Sequence, residues 1–339
     1  MAALPASAFT TNDAGTIFKA YASAYYSLSG TNGYFKSNQT RGIADFWKQA
    51  EEIECVIDAC EWTSNASYQG MITNLLNGFL HHNGSSWTTS NRYNDDIMWA
   101  VMAFARGGQE TGNTNFCNIA KANFDACYAR AWSTNLGGGL YWKYPNNASK
   151  NACVNGPGAI AAYLLYKIYG DTSYWNKATN TYYWERSVLF DADTGRIYDN
   201  ISTNGTVHKT PTTYNQGTFI GAANYLGQTN DATLSANYTM NRMTRSGILP
   251  QYAIGGNNSG FNAIFFRWMA RFVSDRGLQS TYQQWLQRNA NSAWSVRRTS
   301  DNLSWCQWHE QTPAGTNLYS WDCIASMEAL QVVPPTEAR

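Results

Sequence analysis

The sequence predicts an all-α fold, an (α/α)6 barrel in which six helical hairpins close into a toroid. Three observations predict it. Apolar residues recur at helical spacing along most of the 339-residue chain, and alternating runs of strand length are scarce. No Ser/Gly/Pro tract, charge block or low-complexity stretch divides the series before the tail Val332-Val333-Pro334-Pro335. With Gly, Pro and Asn as breaks, about twelve helices are expected, near 13–28, 42–60, 68–81, 95–107, 116–132, 152–169, 173–188, 213–227, 231–243, 260–274, 279–291 and 319–331. They pair into six hairpins, so 1–339 reads as a single domain with a linker beginning at 333–339.

The elements follow in order. In 42–60, Ile43, Phe46, Trp47, Ala50, Ile53 and Ile57 form one stripe, which leaves Glu51 as a surface acid. At 95–107, Asn94 or Asp95 is a good N-cap, and Ile97, Val101 and Phe104 recur at helical spacing. The loop Gly137-Gly138-Gly139-Leu140-Tyr141-Trp142 and the later Gly255-Gly256-Asn257-Asn258 are long and rich in Gly and polar or aromatic residues, as a cleft rim would be. Lys150-Asn151-Ala152-Cys153-Val154-Asn155-Gly156 leads into the helix at 152–169. Arg196-Ile197-Tyr198 is a short strand-like exception, followed by Asp199. Thr213-Tyr214-Asn215-Gln216-Gly217 opens a helix with three hydrogen-bonding side chains, and Phe261, Ile264, Phe265, Trp268 and Phe272 stripe the helix at 260–274.

Composition narrows the function. Charged residues are only 14% against an average of about 25%, while aromatics reach 15%. The 14 Trp and 22 Tyr exceed what a core of this size needs, so some are expected to line a groove where they can stack on sugar rings. Net charge is +1 with acids and bases scattered, which argues against nucleic acid or an anionic polymer and favours a neutral, hydroxyl-rich ligand. No apolar run approaches the ~20 residues of a membrane span. Seven cysteines, abundant Asn, Gly, Ser and Thr, and few Lys or Glu read as an exported protein, secreted, periplasmic or at the cell surface. The opening Met1-Ala2-Ala3-Leu4-Pro5 has no basic or long apolar region and reads as a mature chain from which any signal peptide has gone. Cys55 and Cys60 fall on different helix faces and should not pair, whereas Cys306 and Cys323 bracket a polar loop as a disulfide would. No Cys/His cluster has zinc spacing, so neither a metal nor a cofactor is expected.

The candidate chemistry lies in Asp95-Asp96. Like charges side by side repel, which raises the proton affinity of one of them. A site that needs one ionised and one protonated carboxyl at the same pH is built this way. At a helix start the two side chains diverge by about 100°, so both can line one cleft. The plainer alternative is a first turn whose acids suit the helix dipole.

These stretches together resemble glycoside hydrolase family 76, the bacterial and fungal endo-α-1,6-mannanases. The family shows a DD pair at a helix start, a GG-aromatic loop with a KNA..N segment, a TYNQG segment, a G-I-L turn and an F-x-x-I-F-x-R helix. Here they stand in the same order at Asp95-Asp96, at 138–155, at 213–217, at Gly247-Ile248-Leu249 and at 261–267. The resemblance implies the same barrel and a retaining mechanism, with Asp95 as nucleophile and Asp96 as general acid/base. It implies substrate-binding roles for Asp199, Tyr214, Asn215 and Gln216, and for Asn155 in the KNA..N segment. Asn215 and Gln216 could equally tie down a helix start. Trp142 and Tyr141 are candidates to stack on mannose or to anchor the loop, and Trp47 divides evenly between cleft and core. Asn262 stands where family members commonly have Lys, and Gln251 where they have Glu. The expected partner is a neutral polysaccharide, α-1,6-mannan, or its oligosaccharides, bound by a monomer. A mannan transglycosidase using the same carboxyls and a non-catalytic glycan-binding protein are the alternatives.

Overall fold

The computed structural model describes residues 8–336. The opening Met1-Ala2-Ala3-Leu4-Pro5 and the last three residues of the expected linker lie outside them. The described chain forms twelve α-helices: α1 (Thr11–Tyr25), α2 (Phe46–Thr63), α3 (Ser67–Asn83), α4 (Asn94–Thr111), α5 (Thr114–Ala131), α6 (Ala152–Tyr169), α7 (Thr172–Val188), α8 (Thr213–Tyr225), α9 (Thr229–Arg242), α10 (Phe261–Arg276), α11 (Gln279–Ser295) and α12 (Ser320–Val332). The even-numbered helices pack in succession, and α12 returns onto α2, which closes an inner ring. The odd-numbered helices form the outer layer. This is the (α/α)6 barrel.

The two layers differ in burial for a simple reason. An inner helix is covered on all sides, so it buries nearly every residue; α12 does so along its whole length. An outer helix buries one stripe, as α5 does with Phe116, Cys117, Ala120, Phe124 and Cys127. Close approach inside the ring needs small residues. A Cβ on Gly217 of α8 would stand 2.7 Å from the Phe265 Cα of α10, which a side chain could not tolerate.

Three expectations are corrected. The first helix stops at Tyr25, and residues to 35 form an antiparallel hairpin, β1 (Tyr26–Ser29) with β2 (Asn32–Phe35). Ile197 makes a single bridge to Phe190 in place of a strand at 196–198. The strands instead are β3 (Ser149–Asn151), β4 (Asn200–Ser202) and β5 (Val207–His208), one antiparallel sheet that pairs Asn151 with Asn200. Finally, all seven cysteines are free thiols. Cys306 faces the Tyr252 carbonyl and Cys323 the Tyr25 hydroxyl, so neither thiol is spent on the other.

The largest departure lies inside the ring. Glu51 is no surface acid: it is 1% exposed, as is Arg267, whose Nη1 meets Glu51 Oε2 at 2.5 Å. Arg267 Nε also meets Asp58 Oδ2 at 2.5 Å, and Arg106 reaches Glu54, Asp58 and Glu61 at 2.6, 2.7 and 3.0 Å. Because α2 and α10 are not neighbours in the ring, Arg267 reaches across the interior. The barrel is therefore filled below its mouth by a charge network that runs from Glu51, about 6 Å along α2 from Trp47, to Arg106, about 16 Å along α4 from Asp95, at 1.5 Å per residue.

Candidate active site

The inner helices each return through an outer partner, so all six start at the same end of the barrel. That end brings together Trp47 of α2, Asp95 and Asp96 of α4, Cys153 of α6, Tyr214 and Asn215 of α8, Phe261 of α10 and Trp321 of α12. Trp47 packs edge-on against Trp321 with centroids 4.8 Å apart, and Tyr214 stacks on Phe261 at 3.8 Å. The Asp pair starts α4 at this same end, with Asp95 in electrostatic reach of Tyr214.

The start of α4 is built by its neighbours. Tyr93, not Asn94 or Asp95, is the N-cap residue, and it supplies no side-chain cap. Asn94 is buried and ties the turn to the glycine loop, with Nδ2 donating to the Tyr141 carbonyl at 2.8 Å and its backbone N–H to the Trp142 carbonyl at 2.8 Å. Arg130 of α5 donates to Asn94 Oδ1 at 2.7 Å and to the carbonyls of Thr88 and Asn91 at 2.8 Å each. The first turn of α4 is thereby held from two sides.

The two carboxyls have different surroundings. Oδ2 of Asp95 accepts from the Trp142 indole at 3.0 Å and from the Cys153 thiol at 3.3 Å, while its Oδ1 has no hydrogen-bond partner. Asp96 Oδ2 accepts from the Asn91 amide at 2.9 Å. Burial raises both carboxyls above the usual range. The rise in Asp95 stops at about 6 because the Cys153 and Trp142 donors and nearby backbone amides favour its charged form. Asp96 is pushed to about 8 by burial and then by the Asp95 charge. The pair can thus carry one charge and one proton at neutral pH.

Asp199 stands within electrostatic reach of Cys153 and Tyr214 at the same mouth, and the fully buried Asn215 holds it. Asn215 Nδ2 reaches Asp199 Oδ1 at 3.3 Å, and Asn200 Nδ2 reaches Asp199 Oδ2 at 2.7 Å. The β3–β4 pairing brings Asp199 here, since Ala152 at the start of α6 donates its N–H to the Asp199 carbonyl at 2.9 Å. Tyr214, half-buried, lies within electrostatic reach of both Asp95 and Asp199.

Three sequence candidates lie elsewhere than expected. Gln216 is fully buried, accepting from the Ile197 N–H at 2.6 Å and donating to Ser235 Oγ at 2.8 Å and the Gly195 carbonyl at 3.1 Å. Asn155 is also buried; its amide brackets Leu140 through the backbone N–H at 2.8 Å and carbonyl at 3.1 Å. Tyr141 is 5% exposed and packs over the Lys150 ammonium at 4.7 Å. All three shape the frame, because their polar atoms or ring faces are taken up by protein. Trp142 belongs to the mouth, and Trp47 sits half-buried on its rim. Asn262 is buried as well, receiving the Thr213 hydroxyl at 2.8 Å and donating to the Pro250 carbonyl at 3.0 Å, so it acts as a loop tie.

Sequence reasoning passed over Asn91, Arg130, Cys153 and Lys150. Cys153 was visible only as a first-turn residue of the segment that leads α6. Lys150 Nζ lies in a cage of the Ser133, Asn135 and Gly138 carbonyls, the first two at 2.8 and 2.6 Å, and burial lowers its pKa to about 8. This cation fastens the loop that carries Trp142, where Gly139 at φ +85° leaves no room for a side chain beside Trp184. Lys150→Met is expected to cost about 2 kcal/mol in urea unfolding, since three buried carbonyls lose their donor. It should also loosen the Trp142–Asp95 contact that this loop presents. Among the described residues no group of three or more His, Cys, Asp or Glu is placed to hold a metal ion.

Comparison with known proteins agrees with the fold. The profile of Glycosyl hydrolase family 76 matches residues 6–338. Among solved structures, the GH76A α-1,6-mannanase of Salegentibacter sp. HEL1_6 is 26% identical, covers 95% of this chain and 98% of its own, and superposes with a TM-score of 0.86. An inactive variant of that mannanase, with the same identity, coverage and TM-score, is in complex with α-1,6-mannotriose. Dfg5 from Chaetomium thermophilum, in complex with glucosamine, shares the fold at 16% identity and a TM-score of 0.79, covering 96% of this chain and 91% of its own. No curated protein matches. The chain belongs to glycosyl hydrolase family 76 and is a glycosidase by family.

Proposed function

We propose that this member of family 76 is a retaining, endo-acting glycosidase that cleaves internal α-1,6-mannosidic bonds, with Asp95 as nucleophile and Asp96 as general acid/base. The observation that carries the reading is the asymmetric setting of the two carboxyls. Asp95 has two side-chain donors that favour its charge; Asp96 has one and faces the Asp95 charge. Asp95 attacks the anomeric carbon while Asp96 gives its proton to the departing glycosidic oxygen. The resulting glycosyl ester on Asp95 is then hydrolysed by a water whose proton returns to Asp96. In this reading Tyr214, Asp199, Trp142 and Trp47 meet the sugars, and the fully buried Asn215 acts through Asp199, to which it donates.

The choice of α-1,6-mannan rests on the mannotriose-bound relative and on the aromatic, nearly neutral character of this chain. A monomer acting outside the cell is the setting it implies. No helix among the described residues is long and apolar enough to cross a membrane.

The test is digestion of debranched α-1,6-mannan, with products read by size and anomer by NMR. A ladder of short manno-oligosaccharides that appear first as the α-anomer is the expected result. Products longer than the substrate would indicate transglycosylation, and binding without cleavage would indicate a glycan-binding protein. The pH dependence is a second expectation. Asp95 must be ionised, so kcat/KM should rise as pH passes about 6, and Asp96 must be protonated, so it should fall past about 8. Because the carboxyls interact, the two limbs belong to the pair. A profile flat from pH 5 to 9 would remove the acid/base assignment.

A further inference from the structure

We propose that Cys153 is a positioning residue for the reaction, its thiol and the Trp142 indole together clamping one oxygen of Asp95 so that this carboxylate stays ionised and in one orientation. The inference rests on the reading of Asp95 as nucleophile and goes beyond it by giving the thiol a part in the chemistry. Cys153 lies in the first turn of α6, and its Sγ stands 3.3 Å from Asp95 Oδ2, the oxygen that also receives the indole N–H at 3.0 Å. Oδ1 has no partner, so no other side chain holds the carboxylate plane. Loss of either donor frees the Cα–Cβ and Cβ–Cγ rotations that the clamp restrains.

The thiol is suited to this task. It is 3% exposed, and burial and then the charges of Asp95 and Asp199 push its ionisation well above the ordinary thiol range. It is therefore a protonated donor throughout the working range, not a nucleophile. The Tyr214 hydroxyl lies beside the sulfur, so the clamp is backed by a side chain of the same mouth. The titratable groups that face the pair are Asp96 on its own helix, Cys127 of α5, Cys153 of α6, Asp199 before β4, Tyr214 of α8, and Asp45 before α2, which acts on Asp96. Of these only Cys153 donates to Asp95.

The experiment compares Cys153→Ala, Cys153→Val and Cys153→Ser with the wild-type chain. Val fills the space that Ala would leave and removes the donor, which covers the case in which Ala loosens the start of α6. Two readouts are taken: kcat and KM against pH on the mannan that wild type cuts, and the carboxyl carbon titration of Asp95 in the free protein. Without the donor the charged form is less favoured, so the acid limb and the carboxyl titration should both move up by about half a pH unit, near the lower end of what one hydrogen bond contributes. kcat should fall about 10-fold with KM little changed, through lost orientation. Ser, whose hydroxyl can donate to the same oxygen, should restore most of both. An Asp95 titration in Ala and Val that overlays wild type would overturn the proposal. So would a pH-independent loss that Ser does not repair, because a packing defect behaves that way. If wild type cuts no mannan the proposed function fails, while the carboxyl titration still decides the role of Cys153.

Discussion

Asp95→Asn is expected to lower kcat/KM on α-1,6-mannan by about 10⁴-fold, and Asp96→Asn by about 10³-fold, with the fold of both variants intact. The two losses differ in kind. The first variant has no charge with which to attack the anomeric carbon, so an activated leaving group cannot help it. The second lacks the proton for the departing oxygen, and a substrate whose leaving group needs no proton should recover most of the first step. Neither change should weaken the protein. Burial and the Asp95 charge already hold Asp96 largely protonated at neutral pH, so an amide of the same shape replaces a neutral group. Replacing Asp95 removes a desolvated charge from the first turn of α4. Steady-state kinetics with mannan and with an aryl mannoside, alongside thermal melting, check all of this. Either single variant retaining most of its mannanase activity would remove the pair from the chemistry.

The second large effect is on stability. Arg267→Met is expected to destabilise the fold by about 3–5 kcal/mol, the range for removing one partner of a buried ion pair. Arg267 contacts Glu51 and Asp58 at 2.5 Å, both nearly or fully buried, and its other nitrogen reaches the Cys55 sulfur at 3.2 Å. The sign of the pH dependence follows. Burial already raises Glu51 to about 7 and raises Glu54, while Arg267 is among the charges that lower both. Without it these acids bind protons more tightly in the folded protein than in the unfolded chain. The stability of the variant therefore falls as pH rises, and its deficit should be larger at pH 8 than at pH 5.5. Urea unfolding at the two pH values measures this. A deficit below about 1 kcal/mol at both would mean that the network is already neutral or wet.

Much of the fold was legible because helical periodicity is a local property. The stripe from Phe46 to Ile57 and the run from Phe261 to Phe272 are both helices of the inner ring. Where a local signal misled, a non-local contact explains it. The segment after Tyr25 leaves the helix because β1 pairs with β2, and Gly78 of α3 lets the backbone at Gly33 pack closely. The candidate site was legible where residue type and position in a first turn coincide, as in Asp95-Asp96. It was not legible where an amide could serve either a ligand or the frame. Gln216 and Asn215 are adjacent on α8, yet one is spent on Ile197, Gly195 and Ser235 while the other turns to Asp199.

By itself the sequence determined the helical order and the two adjacent acids, since each is written in residues within a turn or two of one another. Only the tertiary structure decided which polar groups lie inside. Glu51 reads as a surface acid until Arg267, more than 200 residues away, meets it across the ring, and Asp58 joins the same network through Arg267 and Arg106 of α4. Cys153 likewise becomes a donor to Asp95 only when α6 is laid beside α4. The reason is physical: a helix period records which residues share a face, whereas the cost of burying a charge is met by whichever partner the fold brings within about 3 Å.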